Sequence, residues 1–202
     1  FASGLRALLR QDPDIIMVGE VRDNETAELA IHAGLTGHSV LTTLHTNDSY
    51  GAIPRLFDMH IEPFLLASTL NAVVAQRLVR KVCSKCKTED KIPPEILVKV
   101  EEHLKKIPKK AFYTKVDMDN LQFYKGRGCS HCGKTGYKGR VAIVEAISVT
   151  RSLQNIIAKG FHHDEVDEEL VKQNFMSMEQ DGIIKSLMGL TTIEEVLRVS
   201  EI

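Results

Sequence analysis

Four cysteines stand in two C-x-x-C pairs, Cys83-Ser84-Lys85-Cys86 and Cys129-Ser130-His131-Cys132. Each pair sets two thiolates on one tight turn, and two such turns supply the four tetrahedral ligands that Zn2+ takes. Four thiolates close the coordination sphere and leave no position for water or substrate, so the expected role of Cys83, Cys86, Cys129 and Cys132 is structural. His131 lies between two ligands and is expected beside the metal or in solvent rather than on it. Residues 87–128 separate the pairs, longer than a simple zinc ribbon, so this charged stretch has to fold back. The pairing favours metal thiolates in a reducing compartment over disulfides, which places the chain in the cytosol.

The same region contains a second pattern. Gly128-Cys129-Ser130-His131-Cys132-Gly133-Lys134-Thr135 satisfies G-x-x-x-x-G-K-T, whose backbone amides and lysine cradle nucleotide phosphates. Its context argues against that use. A phosphate loop sits between a buried strand and a helix, whereas Phe123-Tyr124-Lys125-Gly126-Arg127 precedes this match and Thr135-Gly136-Tyr137-Lys138-Gly139 follows it. Two of its variable positions are also metal ligands, and a zinc knuckle cannot wrap phosphates at the same time.

Glu20 is the third candidate. Ile15-Ile16-Met17-Val18 is a short continuous apolar run, suited to a central parallel strand covered on both faces, and Gly19-Glu20 follow at its C-terminal edge. That is where a nucleoside triphosphatase places a carboxylate to orient water or complete magnesium coordination. A strand-end glutamate in a surface ion pair is an equal reading of this feature alone.

The elements that must position these residues alternate at first between helix and strand. Leu5, Leu8 and Leu9 recur at helical spacing up to a stop at Asp12-Pro13. Glu25 to Ala33 reads as a crossover helix ending at Gly34, and Ser39 to Leu44 as a second strand. Asn47 is placed to cap a helix starting near Asp48, and Pro63 to Val82 reads as one long helix with Phe64, Ala67, Val74 and Leu78 on a face. Ile96, Val100, Leu104 and Ile107 support an amphipathic helix within the excursion. Residues 141–147 form the clearest later strand, and 151–202 a few helices, including Met178 to Met188 and Thr192 to Val199, with core packing expected. The acidic run Asp164, Glu165, Asp167, Glu168 and Glu169 reads as a solvated helix face. The expected division is 1–82, 83–140 and 141–202.

Composition bounds the rest. In 202 residues, 26 Lys and Arg against 27 Asp and Glu give a formal net charge of −1. No global field therefore recruits nucleic acid or an anionic membrane, and direct nucleic-acid binding is not expected. No apolar run approaches the ~20 residues that span a bilayer. Phe1 carries no signal-peptide features, and the chain reads as a fragment of a longer protein.

Residues 1–23, from Phe1-Ala2-Ser3-Gly4-Leu5-Arg6 through Met17-Val18-Gly19-Glu20-Val21-Arg22-Asp23, resemble the Walker B region of the type II secretion and type IV pilus assembly ATPases. Thr36-Gly37-His38-Ser39-Val40-Leu41-Thr42-Thr43-Leu44-His45-Thr46-Asn47 resembles the histidine box of that family. Ala75 to Arg80, the cysteine pairs, Gly136-Tyr137-Lys138-Gly139-Arg140 and Glu194-Glu195-Val196 follow in family order.

The resemblance implies an α/β fold: a partial RecA-like parallel-sheet ATPase core (1–82), a tetracysteine zinc-binding excursion (83–140) and a strand with a helical C-terminal subdomain (141–202). It implies ATP and Mg2+ in the intact protein and a structural Zn2+. It also implies a homohexamer that is cytoplasmic, peripheral to the inner membrane and set beneath a membrane platform protein. By the resemblance Glu20 is the Walker B glutamate and His45 approaches the γ-phosphate, whereas His38, at the other end of the strand, is expected in a structural hydrogen bond. Arg6 and Arg10 share a helical face at i, i+4 as arginine fingers, with Arg22 and Arg127 as further nucleotide-binding candidates; a surface ion pair is the alternative for each. The tetracysteine site resembles the secretion and pilus-extension branch, because retraction motors typically lack it. The family's Walker A loop lies upstream of Phe1, so this piece alone is expected neither to bind ATP tightly nor to hydrolyse it. The reading of a different class is a non-catalytic zinc-containing module that binds a partner protein.

Overall fold

In the computed structural model, residues 2–111, 117 and 120–200 are described. The elements run α1 (Ala2–Leu9), β1 (Ile15–Val18), α2 (Asn24–Leu35), β2 (Ser39–Thr42), α3 (Ala52–Asp58), α4 (Pro63–Thr69), β3 (Ala72–Val82) and β4 (Lys87–Asp90). They continue with α5 (Pro94–Lys106), β5 (Phe123–Gly126), β6 (Tyr137–Ser148), α6 (Arg151–Ala158), α7 (His163–Lys172), α8 (Met178–Leu187) and α9 (Ile193–Ser200). The chain is α/β and divides into two compact units, Phe1–Val73 with Ile147–Gln173, and Val74–Ala146 with Asn174–Ile202.

In the first unit β1 and β2 pair in parallel, Ile15 opposite Ser39 and Val18 opposite Thr42. A parallel pair needs a crossover, and α2 supplies it. Asp23 caps that helix by accepting from the Thr26 amide at 2.8 Å. Ala27, Ala30 and Ala33 form its buried face. Gly34 lies inside the helix, which runs on to the Thr36 cap before Gly37 turns away at φ +97°. The strand expected to be covered on both faces is covered on one: Ile16 and Val18 are buried, whereas Ile15 and Met17 are 66% and 78% exposed. The described α2, α4 and α6 contribute buried side chains to this unit, among them Leu66, Leu153 and Ile157.

Three local expectations are corrected. Pro63 to Val82 is not one helix: α4 stops at Thr69, Leu70 turns extended, and residues 72–82 form β3. Ala67, Leu70, Val74 and Leu78 fit a 3.6-residue period, but half-buried Val73, Ala75 and Arg77 alternate with exposed Val74, Gln76 and Leu78. β-branched side chains prefer that pleated alternation. Asn47 does not cap a helix at Asp48; the helix begins at Ala52, and Asp48 Oδ1 accepts the Gly51 amide at 2.7 Å in the preceding turn. Glu169 departs from the solvated face of α7: it is buried and accepts from Thr150 Oγ1 at 2.7 Å and Gln173 Nε2 at 3.2 Å.

In the second unit β3 and β6 form a two-stranded sheet, and β4 and β5 an antiparallel pair with Lys87 opposite Gly126. Val100 and Leu104 of α5, Phe123, Ile183 and Ile184 of α8, and Ile193 and Val196 of α9 make one core. Gly182 is the close point, since a Cβ there would meet Val196 Cγ1 at 2.6 Å. A glycine inside a helix costs about 1 kcal/mol relative to alanine, and here it lets α8 and α9 approach. Buried Glu195 on α9 accepts from the Arg80 amide (2.9 Å) and guanidinium (2.6 Å) on β3, and from Arg198 Nε (2.9 Å). Burial opposes its ionisation, but the Arg80 and Arg198 hydrogen bonds outweigh that and hold the carboxyl at about 2.

Candidate functional site

Two groups of side chains carry chemistry, one in each unit. In the first, β1 and β2 run in parallel and deliver the residues after both C-terminal ends to one edge of the pair. The Val21 amide donates to Thr43 O at 3.0 Å and Thr43 Oγ1 donates to Gly19 O at 2.7 Å, which closes the two exits on each other. Glu20 and His45 then meet: His45 Nε2 lies 2.8 Å from Glu20 Oε2. Arg22, two residues on, holds the other carboxylate oxygen at 2.7 Å. Hydrogen bonding to His45, then to Arg22, keeps the Glu20 carboxyl below the usual carboxylate range. The three side chains remain open to solvent, at 36%, 76% and 70% exposure for Glu20, His45 and Arg22.

An ionised carboxylate between two nitrogen donors at the C-terminal edge of a parallel pair can hold a water molecule or a hard cation. It is a poor proton acceptor at neutral pH and a good hydrogen-bond acceptor, so it orients more readily than it deprotonates. His38, at the opposite end of β2, turns away from this edge and bonds through Nδ1 to Ala33 O at 3.0 Å, beside Thr36 Oγ1.

The arginines divide. Arg22 joins Glu20. Arg10 is exposed and lies in the turn after α1 rather than on its last helical turn, because the helix closes through Gln11 N to Leu8 O and the chain leaves at Asp12 with φ +50°. The Arg6 side chain lies outside the described residues. Arg127 belongs to the second unit and donates to Thr88 Oγ1 at 3.1 Å. Thr43 belongs to this edge as well, and its signal in the sequence is a hydroxyl directly after an apolar strand and two residues before His45.

The second group is the cysteine cluster. The Sγ atoms of Cys83, Cys86, Cys129 and Cys132 all lie within 4.8 Å of one another. Measured edges are 3.9 Å for Cys83–Cys129, 3.9 Å for Cys86–Cys132 and 3.7 Å for Cys129–Cys132. Zn–S bonds of about 2.3 Å define a tetrahedron with edges of about 3.8 Å, so the spacing fits zinc. Amide donation from Cys129, together with that from Gly136, pulls Cys132 down to about 6, whereas burial pushes Cys86 up to about 12. Backbone amides thus favour the thiolate form of Cys132, the form in which cysteine binds a metal. His131 is exposed and is no member of the cluster.

The G-x-x-x-x-G-K-T match is this knuckle. Lys134 takes a left-handed φ of +63°, and the strand β6 follows where a phosphate loop would start a helix. The turn closes on its own backbone, with Lys134 N donating to Cys129 O at 2.9 Å.

Comparison with known proteins agrees with this picture. The sequence profile described as type II/IV secretion system protein matches residues 1–198. The chain is 46% identical over 197 residues to the type IV pilus assembly ATPase PilB of Thermus thermophilus, covering 98% of this chain and 21% of that protein. It is 43% identical over 205 residues to the type II secretion system ATPase E of Vibrio cholerae, covering 100% of this chain and 37% of that protein. The chain therefore spans well under half the length of these relatives. Among solved structures, the pilus retraction motor PilT with bound ADP superposes with a TM-score of 0.63 at 25% identity, over 98% of this chain and 43% of that one. The Legionella pneumophila ATPase DotB gives 0.62 at 24% identity over 98% and 41%, a likeness of fold alone.

Proposed function

The chain belongs to the type II/IV secretion system protein family, and from that premise we propose that it is the C-terminal part of a cytoplasmic ATPase that powers type II secretion or type IV pilus assembly. The observation that carries the reading is the Glu20–His45 hydrogen bond of 2.8 Å across the exits of neighbouring parallel strands. In this reading residues 1–82 are the end of a RecA-like core, 83–140 the zinc-binding excursion and 141–202 the C-terminal subdomain.

Glu20 accepts a hydrogen bond from the attacking water and fixes its approach to the γ-phosphorus. His45 keeps that carboxylate ionised and presents its ring to the transferred phosphoryl group, while Arg22 steadies the second oxygen. Mg2+, when bound with ATP, supplies charge neutralisation on the phosphate oxygens. Arg6 and Arg10 act as arginine fingers toward a neighbouring subunit of a homohexamer, with Arg22 and Arg127 as further phosphate contacts. The tetracysteine site holds Zn2+ through Cys83, Cys86, Cys129 and Cys132, and its role is structural because four thiolates close the sphere. The hexamer works against an inner-membrane platform protein and touches the membrane through it.

The phosphate loop lies outside the 202 residues in this reading. Phosphate release measured in parallel on this chain and on the full-length protein that carries it tests both statements. Magnesium-dependent turnover by the full-length protein alone is expected. Its absence there refutes the ATPase reading, and micromolar ATP binding by the isolated chain refutes the placement of the phosphate loop.

A further inference from the structure

The two cysteine pairs lie far apart in sequence, and the spacing of four thiolates has to be set by something other than the metal if the site is to be ready for it. One residue touches both pairs. The Gly136 amide donates to Cys132 Sγ at 3.3 Å, and the Gly136 carbonyl accepts the Cys83 amide at 2.9 Å. Cys132 Sγ receives a second amide, that of Cys129, at 3.2 Å, but this one comes from within its own pair. Gly136 joins a thiolate of one pair to the backbone of the other through its own two polar atoms.

We propose that Gly136 is a positioning residue of the tetracysteine site: its backbone N–H and C=O fix the distance between the two cysteine pairs and orient the Cys132 sulfur toward the bound metal. This rests on the zinc reading above.

The requirement for glycine has two parts. Residue 136 takes φ +81°, a left-handed conformation that costs a side chain about 1 kcal/mol or more. Position 136 also faces another backbone: a Cβ there would stand 2.5 Å from Gly126 O, and a Cβ on Gly126 would stand 2.0 Å from Gly136 O. Backbone cannot yield as a flexible side chain can. The neighbouring Gly139 provides an internal standard, since it has nearly the same φ, +79°, with nothing within 4 Å of its would-be Cβ. Alanine at 139 therefore meets the left-handed strain alone, and alanine at 136 meets the strain and the collision with the end of β5, the strand that leads into the second pair.

A hydrogen bond from an amide to a metal-bound sulfur stabilises the thiolate and orients it, and loss of such a supporting contact weakens metal binding by about 10- to 100-fold. The chain is purified under reducing conditions, and Co2+ and Zn2+ affinities are measured by thiolate-to-cobalt absorption and by competition with a chromophoric chelator. One metal per chain is expected for the unaltered protein, with Gly136→Ala weaker by about 10- to 100-fold and Gly139→Ala at the unaltered affinity. Equal affinity of Gly136→Ala and the unaltered chain, or equal loss in both variants, overturns the positioning role and leaves the zinc reading intact. Failure of the unaltered chain to bind metal overturns both.

A second readout needs no variant and so survives a Gly136→Ala that does not fold. In the 113Cd-loaded, 15N-labelled chain, a bonded N–H···S–Cd path transmits scalar coupling to the amide proton. Coupling at the amides of both Cys129 and Gly136 is expected. Coupling at Cys129 with none at Gly136 removes the bond on which the proposal stands.

Discussion

Arg80 and Glu195, 115 residues apart in sequence, meet through two hydrogen bonds: the Arg80 amide and guanidinium both end on the Glu195 carboxylate, at 2.9 and 2.6 Å. One bond fixes the strand β3 and the other the arginine that lies over the Tyr137 ring at 4.2 Å. The carboxylate is almost fully enclosed while the two guanidinium groups that neutralise it are about half exposed, so the burden of desolvation falls on Glu195.

This arrangement gives the second unit a defined acid sensitivity. The folded carboxyl titrates at about 2 against an ordinary 4.5, so its contribution is fully present above pH 4.5 and is lost as the pH falls toward 2. Urea unfolding between pH 7 and pH 3 is expected to show a declining midpoint across the lower part of that range. Glu195→Gln should be less stable by ~1–3 kcal/mol at pH 7 and should show a flatter decline. An unchanged pH slope in the variant would assign the acid sensitivity to another group.

His45 is the largest cause of the depressed Glu20 titration. A carboxylate held low keeps its charge as the medium becomes acidic, so Glu20 should not limit turnover between pH 5 and pH 8. In the full-length protein His45→Ala removes that support and moves the acid limb of kcat/KM toward higher pH, alongside a loss of kcat of about 100-fold or more. A lower kcat with an unmoved acid limb would separate His45 from Glu20 and assign it to the phosphate alone.

Much of this site was legible before the fold was known, for identifiable reasons. The apolar run Ile15–Val18 followed by Gly19-Glu20 marks a strand exit, and the pairing of such an exit with the end of Ser39–Thr42 is what a parallel unit does. The cysteine pairs were legible because C-x-x-C is a local geometry. The partners of Glu195 and Glu169 were not, because a buried carboxylate is recognised by donors far along the chain and its own segment reads as an ordinary charged helix face. β3 was misread for a related reason: Ala67, Leu70, Val74 and Leu78 satisfy a helical period by coincidence, and only the cross-strand partner in β6 selects the period of two. The exposed Ile15 and Met17 mark where pattern reading assumed a cover that the described residues do not provide.

Lys134 separates the metal knuckle from the phosphate loop it imitates. In a true loop, loss of this lysine abolishes nucleotide binding. Here Lys134→Asn, a residue that tolerates the observed φ of +63°, should leave the ATP affinity and turnover of the full-length protein within about two-fold of the unaltered values. Loss of ATP binding in this variant, with zinc content unchanged, would restore Gly128–Thr135 as a nucleotide site.

The most direct measurement concerns Glu20 itself. Glu20→Gln preserves the shape of the side chain and removes the charge that orients water. In the full-length protein, ATP binding followed by a fluorescent nucleotide analogue and single-turnover phosphate release followed on the same preparation separate the two functions. Binding within about three-fold of the unaltered protein is expected, with hydrolysis reduced by about 100-fold or more. Hydrolysis at the unaltered rate would contradict the assignment of Glu20 as the water-orienting carboxylate.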